Sequence, residues 1–127
     1  MKWIAITILV FLSTNMGMSQ TNTDRDVDFA AFELSEIQEQ MEGPWLAFFK
    51  NKNVLAGIYN LKAGTEDGQR PHDTDEVYYV IEGQAQFKAG NETSSVKPGS
   101  ILFVKAEVEH RFFDITEDLV ILVFFDQ

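Results

Sequence analysis

GTEDGQRPHDTDEVYYVIEG, residues 64–83, is the stretch on which the reading of this chain turns. Its later part, Val77 to Ile81, is a run of β-branched and aromatic side chains, which suit a pleated, half-buried surface. His72 and Glu76 lie four apart just ahead of it, a spacing that fits one face of a helix but is also an even step on a strand. The run that follows decides for the strand. Residues four apart on a straight strand stand ~13 Å from each other, too far to share one ion. The segment is therefore expected to bend between them, and Pro71 with the Asp73-Thr74-Asp75 cluster gives it cause to bend.

The same texture extends outward. Trp45 to Phe49, Val54 to Leu61, Gln84 to Ala89, Thr93 to Val96, Ile101 to Val104, His110 to Phe113 and Leu119 to Phe125 read as further short strands. Turn signals separate them at Asn51-Lys52-Asn53, Glu82-Gly83, Gly90-Asn91, Pro98-Gly99 and Thr116-Glu117-Asp118. Many short strands with no long helix predict an all-β domain, a closed barrel or a sandwich. Val120 to Phe125 (VILVFF) shows no alternation and is expected to be buried on both faces. One short helix is expected over about Ser35 to Met41. Ser35 and Gln38 have the form of a capping box there, and Leu34, Ile37 and Met41 have helical spacing.

The 127 residues allow one ordinary domain. An apolar content of 45% and eleven Phe can build a core, which a disordered chain could not. The formal charge of −10 would be repelled by phosphate backbones and anionic lipid, so nucleic acid and membrane surfaces are not expected partners. Cysteine is absent, which removes disulfides, thiolate metal sites and a cysteine nucleophile.

Residues 1–20 read as a secretory signal peptide. Lys2 supplies the positive start, Trp3 to Leu12 the apolar run, and Gly17 and Ser19 the small pair near a cut after Ser19 or Gln20. The run is well short of the ~20 apolar residues that a spanning helix needs. Residues 21–30 read as a flexible leader, residues 31–127 as the folded domain, and the mature protein as secreted or periplasmic.

Imidazole chemistry, if the chain uses it, rests on His72 and His110, its only histidines. Two neutral imidazoles and one carboxylate with open positions left over form a common site for divalent iron, and suit Mn, Zn, Cu or Ni as well. The spacing Gly64-x5-Arg70-x-His72-x3-Glu76-x6-Gly83 resembles the first cupin motif, in which a glycine precedes two histidines, a glutamate and a closing glycine. Pro98 to Val104, continuing to Glu109-His110-Arg111-Phe112, resembles the second motif, with its proline-glycine turn, apolar strand and third histidine. The resemblance runs from about Ala56 to Phe125. It implies a cupin double-stranded β-helix, or jelly-roll barrel, preceded here by one short N-terminal helix. It also implies a divalent transition metal inside the wider mouth, held by His72, Glu76 and His110.

Where the motif's first histidine would stand, this sequence has Arg70, which stays protonated and cannot ligate a cation. Water, substrate or Gln69 is left to fill that position. Two readings of Arg70 stand open, a surface arginine and a fork for a carboxylate ligand. Alternation turns Tyr78 and Phe112, each two residues beyond a ligand, toward the pocket. Tyr78 is then a candidate proton donor and Phe112 a candidate substrate contact, with core packing as the alternative for both.

Cupins resemble one another across metal-dependent dioxygenases, decarboxylases, isomerases, sugar-binding domains and storage proteins. The expectation is a metal-binding cupin that acts on or holds a small organic molecule. The alternatives are a binding module without turnover, and a structural barrel whose metal motif has decayed. The family also forms homodimers by sharing strands, for which Val120 to Phe125 could serve.

Overall fold

The computed structural model describes residues 26–127. The expected signal peptide, residues 1–20, and residues 21–25 of the leader lie outside them; residues 26–30 have no regular secondary structure. In chain order the elements are α1 (Leu34–Glu39), β1 (Trp45–Lys50), β2 (Val54–Leu61), β3 (Glu76–Ala89), β4 (Glu92–Val96), β5 (Ile101–Val104) and β6 (His110–Asp126). All strand pairs are antiparallel. Among the described residues no helix is long and apolar enough to cross a membrane.

Two expected turns do not reverse the chain. β3 runs straight through Glu82-Gly83 and β6 through Thr116-Glu117-Asp118, so four expected strands are two long ones. A 14-residue strand would be about 45 Å long if straight, longer than a small domain can hold flat. The β3–β6 ribbon therefore folds over. Glu76, Tyr78 and Val80 are the buried positions of the first half of β3, and Gly83, Ala85 and Phe87 those of the second. The alternation slips by one residue, as a β-bulge requires. β6 slips in step, from His110 and Phe112 to Ile115, Leu119, Ile121 and Val123. The pairing register is irregular between Val80 and Gln86. Gly83 makes the bend feasible. Its φ is +92°, and a Cβ there would run into the backbone carbonyl of Asp118.

The fold yields two leaves. One has the order β1-β2-β6-β3-β5 and uses the C-terminal half of β6 with the first half of β3. The other stacks the first half of β6, the second half of β3, and β4. Between them lies the core, with Val80 and Ile121 fully buried and Tyr78, Phe112, Leu119 and Val123 at 1% exposure.

Outside the first leaf, Ile37 of α1 packs on Ile58 and Val120, flanked by Leu34, Met41 and Leu46. This explains the unalternating VILVFF. Ile121 and Val123 face the core, Val120 and Leu122 sit under the helix, and Phe124 lies beyond its reach at 40% exposure. Burial on both faces therefore holds up to Val123 and fails at Phe124. The segment is also an interior strand, with β2 on one edge and β3 on the other, so neither edge is free to be shared with a second chain.

The helix is shorter than expected. Glu33 is its N-cap, with no side-chain cap, and Ser35 already lies inside the first turn, so the capping box does not form. Burial of Ile37, worth about 2 kcal/mol, holds α1 in place instead.

Candidate metal centre

The expected bend between His72 and Glu76 falls at Asp73-Thr74. It is stitched to the opposite loop. The His72 carbonyl accepts the Glu107 N–H at 2.7 Å, with Glu107 in the left-handed region at φ +67°. Asp75 Oδ1 accepts the Ala106 N–H at 2.8 Å. Glu76 opens β3 in one leaf, and His110 opens β6 in the other. In the ladder these residues are far apart, Glu76 opposite Phe125 and His110 opposite Ala89. Only the folding of the ribbon at Gly83 brings their side chains face to face.

His110 Nε2 stands 2.8 Å from Glu76 Oε1, and His72 Nδ1 stands 3.0 Å from the same oxygen. One ligand atom from each residue lies within 4.8 Å of the others. Glu76 and His110 are buried, at 2% and 3% exposure, whereas His72 is half-buried. The cluster is closed behind and open in front.

Burial alone would raise the Glu76 pKa, but hydrogen bonds from His110 and His72 outweigh it and hold the carboxyl below its ordinary 4.5. For His110, burial acts to lower the pKa; the hydrogen bond and charge of Glu76, with the Val108 carbonyl, outweigh it and hold the imidazole above 6.5. His110 Nδ1 donates to the Val108 carbonyl at 2.7 Å, which fixes the tautomer and aims Nε2 at the centre.

These residues fit a divalent transition metal. Two imidazoles and a carboxylate are a suitable donor set. Adjacent ligands at ~2.1 Å from one ion stand ~3 Å apart, as each imidazole nitrogen does from Glu76 Oε1. Glu76 Oε2, moreover, is buried with no hydrogen-bond partner.

In front of the cluster lies a cavity of about 390 Å³, walled by Trp45, Tyr59 and Phe125 and floored by Gln69, His72 and Tyr78. Trp45 reaches it because Gly57 of β2 is bare; a Cβ there would run into the indole.

Tyr78 lines this cavity, with its hydroxyl donating to Gln69 Oε1 at 2.9 Å and lying 3.0 Å from His110 Nε2. Burial and the negative charges of Glu76 and Asp67 push its pKa far up, so the phenol keeps its proton. Phe112 sits elsewhere. Its ring is in the core against Phe87 and Tyr78, at centroid distances of 4.7 and 5.5 Å, behind the cluster and not on the cavity wall. Arg70 is exposed and lines a second groove with Lys88 and Arg111. It is not among the residues lining the cavity at His72.

Sequence reasoning missed Asp67 and Tyr59. Asp67 is 8% exposed, and its carboxylate is fully engaged. Oδ1 accepts the Tyr59 hydroxyl at 2.6 Å and the Gln69 N–H at 3.1 Å. Oδ2 accepts Gln69 Nε2 at 2.6 Å and the Phe112 N–H at 2.9 Å. Burial and that bond to Asp67 push the Tyr59 hydroxyl far up in pKa. Within a loop rich in Gly and acid, Asp67 looks solvated. The one signal was its place two residues before Gln69, the spacing of an Asx-turn.

A jelly-roll barrel with a His-Glu-His cluster at its mouth is thus the class that fold and site define. Residues 57–125 match the cupin domain family, in its cupin-2 form. The chain belongs to that family. It is 44% identical over 98 residues to an uncharacterised protein of Streptomyces coelicolor, covering 75% of this chain and 93% of the relative. Among solved structures it resembles TT1209 from Thermus thermophilus, with a TM-score of 0.65 and 22% identity, over 76% of this chain and 95% of that one. It also resembles salicylate 1,2-dioxygenase from Pseudoaminobacter salicylatoxidans with gentisate, at a TM-score of 0.56 and 22% identity. That likeness covers 60% of this chain and only 20% of the dioxygenase.

Proposed function

We propose that this protein is a secreted, single-domain metal-binding cupin that acts on a small organic molecule held in the aromatic cavity. The observation that carries the reading is the convergence of His72, Glu76 and His110 on one point, with His72 on the lining of that cavity and Glu76 and His110 buried behind it. A bound divalent metal there supplies a Lewis acid for a substrate oxygen. The chain's own residues do the rest. Glu76, kept ionised, contributes negative charge, and the Val108 carbonyl keeps the His110 Nε2 lone pair aimed inward. Tyr78, kept protonated and on the cavity wall, can turn its hydroxyl hydrogen from Gln69 Oε1 to hydrogen-bond a substrate oxygen. Trp45, Tyr59 and Phe125 offer flat faces to an apolar or aromatic body and exclude water from it.

An anionic substrate group is consistent with the gentisate held by the dioxygenase neighbour. Arg70 belongs to the other groove, so a metal held by His72, Glu76 and His110 would supply the positive charge for that group. Export rests on Lys2 and the apolar run Trp3 to Leu12. Homodimer formation is also part of the proposal. In place of strand sharing, it is supported by Val77, Tyr79, Ile101, Phe103 and Phe124, a row of outward apolar side chains on the first leaf, 37% to 70% exposed.

The test is elemental mass spectrometry on the purified mature protein beside a His72→Ala/His110→Ala double variant. Near one transition metal per chain, absent from the variant, is expected. No metal in either after reconstitution would overturn the reading. A set of small carboxylates screened against the loaded protein then separates turnover from thermal stabilisation without turnover, which would mark a binding module.

A further inference from the structure

We infer that Gln69 is a fourth metal ligand through Oε1, oriented by the buried carboxylate of Asp67, and that it takes the place left vacant by Arg70. This inference rests on the metal-binding reading proposed above.

His110 Nε2 has three close neighbours, Glu76 Oε1 at 2.8 Å, the Tyr78 hydroxyl at 3.0 Å and Gln69 Oε1 at 3.2 Å. With Nδ1–H committed to the Val108 carbonyl, Nε2 carries a lone pair in the neutral ring. Glu76 Oε1 and Gln69 Oε1 are acceptors only. Tyr78 has a single hydrogen, which points to Gln69 Oε1 at 2.9 Å. Lone pairs from an imidazole, a carboxylate and an amide oxygen therefore converge around one point. Gln69 Oε1 takes one hydrogen from Tyr78 and Glu76 Oε1 faces both imidazoles, and each oxygen keeps a lone pair that a cation at the centre can engage.

The amide is held oxygen-inward by design. Gln69 Nε2 donates to Asp67 Oδ2 at 2.6 Å, and Gln69 Oε1 accepts the Tyr78 hydroxyl at 2.9 Å, so the amide nitrogen faces Asp67 and the oxygen faces the centre. Asp67 is itself pinned from three directions, by the Tyr59 hydroxyl, by the Gln69 N–H and by the Phe112 N–H of β6. The last contact ties the orientation of Gln69 to the strand that carries His110. In the same loop Arg70, at the motif position, is exposed, whereas its neighbour Gln69 is half-buried with its amide between Asp67 and His110. Asp67 is thus a positioning residue and Gln69 the ligand.

The test titrates Co²⁺ alone into the full mature chain, reading the dissociation constant and the Co²⁺ d–d absorption band. Gln69→Leu is expected to weaken Co²⁺ binding about 10- to 100-fold and to change the band, while circular dichroism stays that of the parent. Asp67→Asn is expected to cost about 10-fold with Gln69 present, and nothing further in a Gln69→Leu background. A merely structural role for Asp67 would not show that dependence. Gln69→Glu is expected to bind Co²⁺ more tightly, and it decides the matter if Gln69→Leu does not fold. Wild-type affinity and an unchanged band in Gln69→Leu or Gln69→Glu would overturn the fourth ligand while leaving the three-residue site intact. Failure of the parent chain to bind Co²⁺ at all would overturn both.

Discussion

Two cavities of similar size lie on opposite sides of the first leaf, and they differ in one respect that matters. One, about 390 Å³, opens on the inner face at His72; the other, about 450 Å³, lies on the outer face between α1, Phe48 and Phe124. Both have walls of aromatic and branched side chains. Only the first has polar groups at its floor, Gln69, His72 and Tyr78, and these are held by a network reaching both leaves through Glu76 of β3, His110 of β6 and Asp67. The second is lined by the packing of a short helix on a sheet. Volume and apolarity mark where something could fit, whereas buried charge with fixed hydrogen positions marks where chemistry can occur.

The contrast can be tested by changing each side separately. The largest effect is expected from His110→Ala, which should lower metal affinity more than ~100-fold, beyond the loss seen for outer-shell changes. Isothermal titration with Mn²⁺ or Zn²⁺ would read it.

Gly83→Ala strikes the bend that creates the first cavity. Positive φ and collision with the Asp118 carbonyl should together cost about 4 kcal/mol in chemical denaturation. Metal affinity should fall as well, since the two leaves carry different ligands.

Ile58→Ala, by contrast, hollows the floor of the second cavity, where Ile58 is 2% exposed. It should cost about 3 kcal/mol of stability and leave metal stoichiometry unchanged. A loss of metal in that variant would show that the two cavities are not independent.

The smallest effect is that of pH. In the metal-free protein His110 has a raised pKa, so its contribution is complete below 6.5 and is lost as pH rises through the folded value. Glu76 has a lowered pKa, so its contribution is complete above 4.5 and is lost as pH falls through its folded value. The pair therefore stabilises the chelator-treated protein most between pH 4.5 and 6.5, visible as a plateau in melting temperature. Metal binding runs the other way. It must displace the His110 proton, so affinity should weaken by up to about tenfold per pH unit below the His110 pKa.

Much of this was legible in the sequence, for identifiable reasons. The strand segments carried β-branched and aromatic residues, and the Asp73-Thr74 bend was demanded by the spacing of His72 and Glu76. Glu82-Gly83 was misread because the residues that favour a tight turn also favour a bulge. Only the slip of burial from Val80 to Gly83 tells them apart, and that depends on the partner strand. Ser35 matched a capping box locally, but packing of Ile37 on Ile58 and Val120 set the helix one residue earlier. His72, Glu76 and His110 were legible because a motif fixes them. Asp67 was not, since its role depends on the Phe112 N–H, 45 residues away. Phe112 has correct alternation for its strand, yet depth in the core carries it off the cavity wall, and the path of the loop turns Arg70 out to solvent.

The most direct test of the central claim is anomalous diffraction from crystals of the metal-loaded protein, collected at the absorption edge of that metal. The account predicts one strong peak per chain, ~2.0–2.2 Å from a nitrogen of His72, an oxygen of Glu76 and Nε2 of His110. A peak only among surface carboxylates, or none with His110 still bonded to Glu76, would contradict it.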